Sequence, residues 1–244
     1  MIRILMCEGE TDMTLFGFYL EPMCGWKYLR KPKHPLDISK TNSGKNQKAE
    51  SYGKNSEELV ICCVGGKDNF EEFFKRNIMP MVFYSSEKEK DFRIALVTDA
   101  DDRTVSEIEA DVLSQLSPDV SLIQNNIWTT NTVLNSFDEE ATIDFLLSII
   151  PMKGSGALET VLMQSLAEME DGEVIVTESG TFIDSLPDNK YMPSDRLKLK
   201  AKLGVVLSII YPDKVFSQFD KQLEIVDWSS SSTLAECFEE LMKI

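Results

Sequence analysis

The sequence predicts an α/β protein in which a mostly parallel, four-stranded sheet is flanked by helices. Short apolar runs alternate with stretches of helical periodicity along the first half of the chain. This alternation is typical of parallel strands joined by right-handed helical crossovers. Helical periodicity dominates the second half. We therefore expect an α/β core in residues 1–135 and a mainly helical extension, packed on that core, in residues 136–244.

The chain begins with a predicted strand and helix. The apolar run at residues 1–7 predicts a buried strand, and Gly9 permits a tight turn directly after it. Thr11 or Asp12 can cap the helix that we predict over residues 13–20.

A polar, basic stretch follows a short edge strand predicted at residues 26–29. Residues 30–57 are rich in Lys, Asn, Ser and Gly, which is the composition of a mobile loop. From residue 27 to residue 54, eight Lys or Arg oppose two acidic residues, so the segment carries +6 and the rest of the chain −22. The loop could guide a phosphate backbone, although a solvated loop that balances an acidic surface is the simpler interpretation. The candidate nucleic-acid contacts in it are Arg30, Lys31 and Lys33.

The middle of the chain supplies the remaining strands. The apolar run at residues 59–64 predicts a central strand that ends at Gly65 and Gly66. These glycines either make a tight turn or offer backbone N–H groups to a phosphate. The next elements are a helix at residues 68–83 with Phe70, Phe73, Phe74 and Ile78 on one face, a strand at 92–98, a helix at 104–116 and a strand at 120–128.

The second half is predicted to be mainly helical. Helices are expected over residues 137–150, 157–170, 194–210 and 233–242. Residues 173–178 are ambiguous, because their β-branched side chains favour a strand and their neighbours favour a helix. Residues 223–226 are predicted to form a short strand.

Length and composition exclude several classes of protein. The 244 residues are 43% hydrophobic and can bury a large core, and the net charge of −16 disfavours general affinity for nucleic acid. Cys7, Cys62 and Cys63 lie in apolar runs, so we expect them to be buried and reduced. The single histidine, His34, excludes a zinc site built on several histidines. We find no signal peptide or membrane-spanning run and expect a cytoplasmic protein without membrane contact.

Acidic residues follow two of the predicted strands. Glu8 comes directly after the first strand, and Asp99 and Asp101 follow the strand at residues 92–98. Open α/β sheets bind their ligands at the carboxyl ends of parallel strands. If the two strands are neighbours, three carboxylates meet at one rim, and a divalent cation with oxygen ligands would compensate their charge. The alternative is that these acids only cap helices and turns.

These motifs resemble those of the TOPRIM domain, which occurs in topoisomerases, bacterial primases, recombination mediators and OLD-family nucleases. Glu8-Gly-Glu-Thr-Asp12 is similar to the first TOPRIM motif, and Asp99-Ala-Asp101 is similar to its Asp-x-Asp motif. Gly65-Gly-Lys67 resembles the glycine pair after the second core strand. The resemblance is closest to the OLD-like nuclease branch and to a small TOPRIM-related family in bacteria.

The resemblance implies a TOPRIM-like, Rossmann-like fold and a metal-dependent nuclease, or another phosphodiester-acting hydrolase, that uses Mg²⁺ or Mn²⁺ on DNA or RNA. Glu8 would also act as the general acid or base, and one lysine would steady the phosphate in the transition state. The implied metal ligands are Glu8, Asp12, Asp99, Asp101 and Glu159; the candidate lysines are Lys198 and Lys200; the candidate phosphate contacts are Gly65, Gly66 and Lys67.

Two alternatives remain open at this point. OLD nucleases carry an ATPase domain and this chain has no Walker A motif, so the chain could be a silent TOPRIM-like binding or regulatory module that acts with a partner ATPase. The motif at Asp99 also superficially resembles the nucleophile motif of haloacid-dehalogenase-like phosphatases, but Arg103 stands where that motif has Thr or Val. Convergence of the four carboxylates within metal-binding distance, at a polar and open rim, favours the nuclease. Splayed acids, or a rim plugged by apolar side chains, favour the module.

Overall fold

A seven-stranded sheet forms the centre of the part of the chain that the structure describes. The structure is a computed structural model, and it describes residues 1–31, 36, 46–86, 91–187, 189–214 and 219–244. The strands are β1 (Ile2–Cys7), β2 (Lys27–Tyr28), β3 (Lys48–Lys54), β4 (Glu57–Cys63), β5 (Asp91–Asp99), β6 (Thr129–Leu134) and β7 (Glu140–Ile150). Their order in the sheet is β2-β3-β4-β1-β5-β7-β6.

The sheet is mixed rather than mostly parallel. Strands β4, β1, β5 and β7 pair parallel with one another. The pairings β2–β3, β3–β4 and β6–β7 are antiparallel. The α/β class is confirmed, but the expectation of four strands was too low, because antiparallel strands extend both edges of the sheet.

One error in the prediction lies in the polar stretch at residues 30–57. Strand β3 forms an antiparallel hairpin with β4, and Asn55 and Ser56 join the two strands. Both residues have positive φ angles, 48° and 70°, as a tight two-residue hairpin turn requires. Strand β3 is polar because it lies near an edge of the sheet, which is why its composition resembled that of a loop. Lys33 lies outside the described residues.

Strand β7 corrects a second prediction. We expected a helix over residues 137–150, but this segment pairs with β5 from Asp91↔Thr142 to Asp99↔Ile150. Residues 145–150 are buried on both faces and have no period that separates a strand from a helix, although residues 140–145 do alternate between polar and apolar. The expected boundary between residues 135 and 136 falls between the paired strands β6 and β7, so the sheet core extends to Ile150. The strand expected at residues 120–128 is an irregular segment with isolated bridges.

The helices agree better with the prediction. Thr104 and Ser194 cap two of them by accepting hydrogen bonds from backbone N–H groups. Residues 173–178 are helical, and the strand expected at residues 223–226 is absent, since a helix ends there. The helices are α1 (Glu10–Cys24), α2 (Phe70–Phe73), a π-helical turn (Phe74–Ile78), α3 (Met79–Phe83), α4 (Val105–Leu116), α5 (Leu158–Ala167), α6 (Gly172–Ser185), α7 (Asp195–Ile210), α8 (Phe219–Glu224) and α9 (Ser232–Cys237).

The helices cover both faces of the sheet. Successive residues of a strand point to opposite faces, so Leu5 packs with α1 and the carboxyl-terminal helices whereas Ile4 packs with α2, α3 and α4. Phe238 contacts Phe16 and Tyr19 of α1 edge-to-face, with ring centroids 5.2 and 5.3 Å apart. The end of the chain is therefore part of the core on the α1 side.

Two further expectations concern cysteines and membranes. All five cysteines are free thiols, and the three in strand runs are buried, as predicted. Within the described residues, no helix combines the length and the apolar character that crossing a bilayer needs.

The first testable prediction concerns Glu168, which holds the start of α9. Its carboxylate accepts hydrogen bonds from the backbone N–H groups of Ser232 (2.8 Å) and Thr233 (2.9 Å) and from both hydroxyls. Burial raises its pKa, but these hydrogen bonds outweigh burial and lower the pKa to about 2. This stabilisation is present above the ordinary pKa and disappears as the pH falls toward about 2.

We expect Glu168→Gln to lower the free energy of unfolding at pH 7 by about 0.5–1 kcal/mol, because the site is mostly exposed and solvent screens it. The difference should shrink as the pH is lowered below 4. Urea denaturation at pH 7 and below pH 4 measures this difference in the free energy of unfolding. The control is Glu170→Gln, because Glu170 is also exposed. A difference that is equal at both pH values would contradict this account.

Candidate functional site

The site lies at the carboxyl ends of β1 and β5, which are neighbouring parallel strands. Glu8 and Asp99 follow or end these strands and are 7% and 6% exposed. The Oε1 atom of Glu8 accepts hydrogen bonds from the hydroxyl of Thr98 (2.7 Å) and from the backbone N–H of Asp99 (3.0 Å). These two hydrogen bonds join the first acidic motif, after β1, to the second, at the end of β5.

A polar cleft of about 450 Å³ opens at this edge. It brings together Glu8, which follows β1, and residues of α1, β4, β5, α5 and α7, which are far apart in the sequence. Its charged lining includes the acids Glu8, Asp12, Asp99 and Glu159 and the cations Lys67, Arg196 and Lys200. Four of the five predicted metal ligands therefore line one cleft.

Asp12 is the third residue of α1, whose N-cap is Gly9 rather than the predicted Thr11 or Asp12. Its Oδ2 atom accepts a hydrogen bond from the backbone N–H of Gly9 at 2.6 Å. Burial raises its pKa to about 7, and the neighbouring charges of Glu8 and Glu159 contribute to the increase. The hydrogen bond from Gly9 therefore fixes the direction of the Asp12 carboxylate, while the surroundings disfavour its charged form.

The surroundings of Asp99 disfavour its charged form more strongly than those of Asp12 do. Burial, followed by the charges of Glu8 and Asp12, raises its pKa to about 8. Two contacts oppose the increase: the backbone N–H of Leu158 at 2.9 Å from Oδ1, and Arg196 at 3.0 Å from Oδ2. These two contacts therefore offset only part of the cost of holding a negative charge at this carboxylate.

Glu159 enters the cleft from the first turn of α5 and is 8% exposed. Its Oε1 atom lies 3.5 Å from the Nζ atom of Lys200. Arg196 and Lys200 are one turn apart on α7, and both line the cleft.

Asp101 and Lys198 lie elsewhere. Both line a second cleft of about 340 Å³, and Arg196 lines both clefts. Asp101 has a left-handed backbone, with φ of 50°, and its Oδ2 atom accepts a hydrogen bond from Lys67 at 2.7 Å. The two acids of the Asp-x-Asp motif therefore face different clefts.

The glycine pair makes a turn. The backbone N–H groups of Gly65 and Gly66 donate to the carbonyl oxygen of Glu8 at 3.0 and 2.8 Å. Their φ angles of 80° and 115° are in the region that favours glycine. Gly65, Gly66 and Lys67 all line the cleft. Because the N–H groups of the two glycines are already bonded to Glu8, the predicted phosphate contact through those groups is not supported.

The basic loop contributes little to the described site. Arg30 and Lys31 are exposed and are not among the residues that line either cleft. The sequence-based candidates also omitted Arg196. Its spacing of four residues from Lys200 was visible on the predicted helix, but its contact with Asp99 was not.

The carboxylate groups of the cleft are suitable ligands for a hard divalent cation, because carboxylate oxygens are the ligands that Mg²⁺ prefers. In Glu8, Asp12 and Asp99, one oxygen is held by a backbone N–H group, which fixes the direction of the carboxylate. In the described part of the chain, however, no three His, Cys, Asp or Glu side chains are close enough together to hold an ion. Small side-chain movements would be needed to bring the oxygens together.

The fold and the cleft define an α/β protein with an acidic site at the carboxyl edge of its central strands. Residues 2–243 match the family described as "Protein of unknown function (DUF3226)", and the chain belongs to this family. No curated protein matches it. The crystal structure of a hypothetical protein from Pyrococcus horikoshii OT3 is similar, at 17% identity and a TM-score of 0.47, over 98% of this chain and 99% of that one.

The second prediction follows from the raised pKa of Asp99. The pKa of Asp99 is near 3.8 in the unfolded chain and about 8 in the folded protein. Its carboxylate therefore lowers the free energy of unfolding progressively as the pH rises from 3.8 to about 8. Asp99→Asn removes that cost, and we expect it to raise the free energy of unfolding at pH 8 by at least about 1 kcal/mol. The gain should be much smaller at pH 5.

Urea denaturation in the presence of EDTA measures this difference without interference from metal ions. Asp102→Asn is the matched control, since Asp102 lies in the same loop but is exposed. If Asp99→Asn destabilises the protein equally at both pH values, the carboxylate carries no excess unfavourable charge.

Proposed function

We propose that this chain is a Mg²⁺- or Mn²⁺-dependent enzyme that acts on phosphodiester bonds, with a TOPRIM-like core and a nuclease activity. The observation that carries the proposal is the meeting of Glu8 and Asp99 at the ends of adjacent parallel strands, in one cleft with Asp12 and Glu159. The raised pKa values of Asp12 and Asp99 support it, because a cation would relieve the charge that raises them.

The roles of the residues follow from their contacts. Glu8, Asp12, Asp99 and Glu159 would hold the cation, which supplies electrostatic stabilisation of the phosphate oxygens. Glu8 is anchored through Oε1, so Oε2 is the atom that would accept a proton from the attacking water. Lys67 and Lys200 line the same cleft and would donate hydrogen bonds to phosphate oxygens.

The lining of the cleft favours recognition of phosphate rather than of a base. Among the described residues that line it, none is aromatic. Stacking on an aromatic ring is a main source of affinity for single-stranded bases. We therefore expect DNA or RNA to bind through its backbone, with little dependence on sequence.

A second candidate, a catalytically silent binding module that acts with a partner such as an ATPase, is favoured by one observation. Asp99, Asp101 and Glu159 already contact cationic side chains, and no metal-binding group of three is formed among the described residues. The polar, open cleft, on the other hand, favours the enzyme.

The third prediction distinguishes the two candidates. We expect the wild-type chain to bind Mg²⁺ and Mn²⁺ at millimolar or lower concentration, and Asp99→Ala/Asp101→Ala to lose this binding, because carboxylates supply the ligands. Isothermal titration calorimetry measures binding, and Asp102→Ala is the control. The double variant should also lose Mn²⁺-dependent cleavage of DNA or RNA by at least about 100-fold.

Absence of binding in the wild-type chain at millimolar metal would exclude the metal-dependent enzyme. Binding without cleavage of any nucleic acid would favour the regulatory module.

A further inference from the structure

Arg196 spans the two clefts and contacts an acid of each. Its Nη2 atom lies 3.0 Å from Oδ2 of Asp99, and its Nη1 atom lies 3.8 Å from Oδ1 of Asp101. Asp99 lines the larger cleft, Asp101 lines the smaller one, and Arg196 lines both. A single guanidinium group therefore lies between the two acids of the Asp-x-Asp motif.

The contact of Arg196 with Asp99 uses an oxygen that a divalent cation would need. Oδ1 of Asp99 is held by the backbone N–H of Leu158, so Oδ2 is the oxygen that remains for another ligand. Arg196 donates to this same atom. A guanidinium and a hard cation cannot both approach one oxygen closely, because like charges repel.

The two partners of this ion pair differ in freedom of movement. The side chain of Asp99 is 5% exposed and anchored by the backbone of α5, whereas that of Arg196 is 45% exposed. Arginine has a long, flexible side chain, and an exposed guanidinium is well solvated when it leaves its partner. If the pair opens, Arg196 is the residue that moves.

We propose that Arg196 is an internal competitor of the divalent cation: it occupies Oδ2 of Asp99 until the cation binds, and the cation displaces it. This inference rests on the proposed function, because it requires the carboxylates of the larger cleft to bind a cation.

The competition predicts that loss of the guanidinium strengthens cation binding. We expect Arg196→Gln to bind Mg²⁺ about three- to tenfold more tightly than the wild-type chain, as fits the loss of one partly exposed, charge-assisted contact. Arg196→Lys keeps the charge but lacks the planar fork that reaches both acids, and its affinity should be intermediate. Calorimetric titration of the full-length chain with MgCl₂ measures all three affinities.

Two further variants separate the proposal from a general effect of charge. Lys75→Gln removes one cation that pairs with Glu71 and lines neither cleft, so its Mg²⁺ affinity should equal that of the wild-type chain. Arg196→Gln should bring no gain in a chain that already carries Asp99→Asn, because Oδ2 of Asp99 is the atom that the release supplies.

The outcomes distinguish this proposal from the proposed function. If the wild-type chain binds Mg²⁺ and Arg196→Gln binds it no more tightly, the competition is refuted and the metal site stands. A gain of equal size in Lys75→Gln, or a gain that Arg196→Gln still brings in a chain carrying Asp99→Asn, also refutes it. If neither the wild-type chain nor Arg196→Gln binds Mg²⁺, both proposals fail.

Discussion

The parallel pairing of β1 with β5 is the constraint on which the site depends. It brings Glu8 beside Thr98 and Asp99, whose hydroxyl and backbone N–H groups bind its carboxylate. The carbonyl oxygen of the same residue accepts the N–H groups of Gly65 and Gly66, so β4 is tied to the same point. Three strand ends thus converge on one glutamate, and the orientation of the neighbouring acids follows from it.

Charge compensation links this edge of the sheet to the second half of the chain. Buried carboxylates are costly unless cations or hydrogen bonds balance them. Arg196 and Lys200 of α7 contact Asp99 and Glu159, and α5 supplies both Glu159 and the backbone N–H of Leu158. The carboxyl-terminal helices are therefore components of the site as well as a cover for one face of the sheet, and the charges of the site depend on how these helices pack.

The errors in the predicted fold have identifiable physical causes. The apolar run at residues 145–150 of β7 is buried on both faces and lacks the alternation that marks a half-exposed strand, which only residues 140–145 show. Strand β3 has the opposite problem: it lies near an edge, its exposed residues are polar, and its composition is that of a loop. In both cases the position of the strand in the sheet determined which of its residues are polar or apolar. The local sequence does not show where in the sheet a strand lies.

Local chemistry in the sequence was sufficient to predict the apolar strands β1, β4 and β5, the helices α4 and α7, and the acids at the strand ends. These features depend on neighbouring residues, which the sequence states directly. The tertiary structure alone decided that Arg196 contacts Asp99, that Asp101 faces a second cleft, and that the N–H groups of the glycine pair bind Glu8. Those contacts join segments up to about a hundred residues apart, and strand register and helix packing determine which atoms meet.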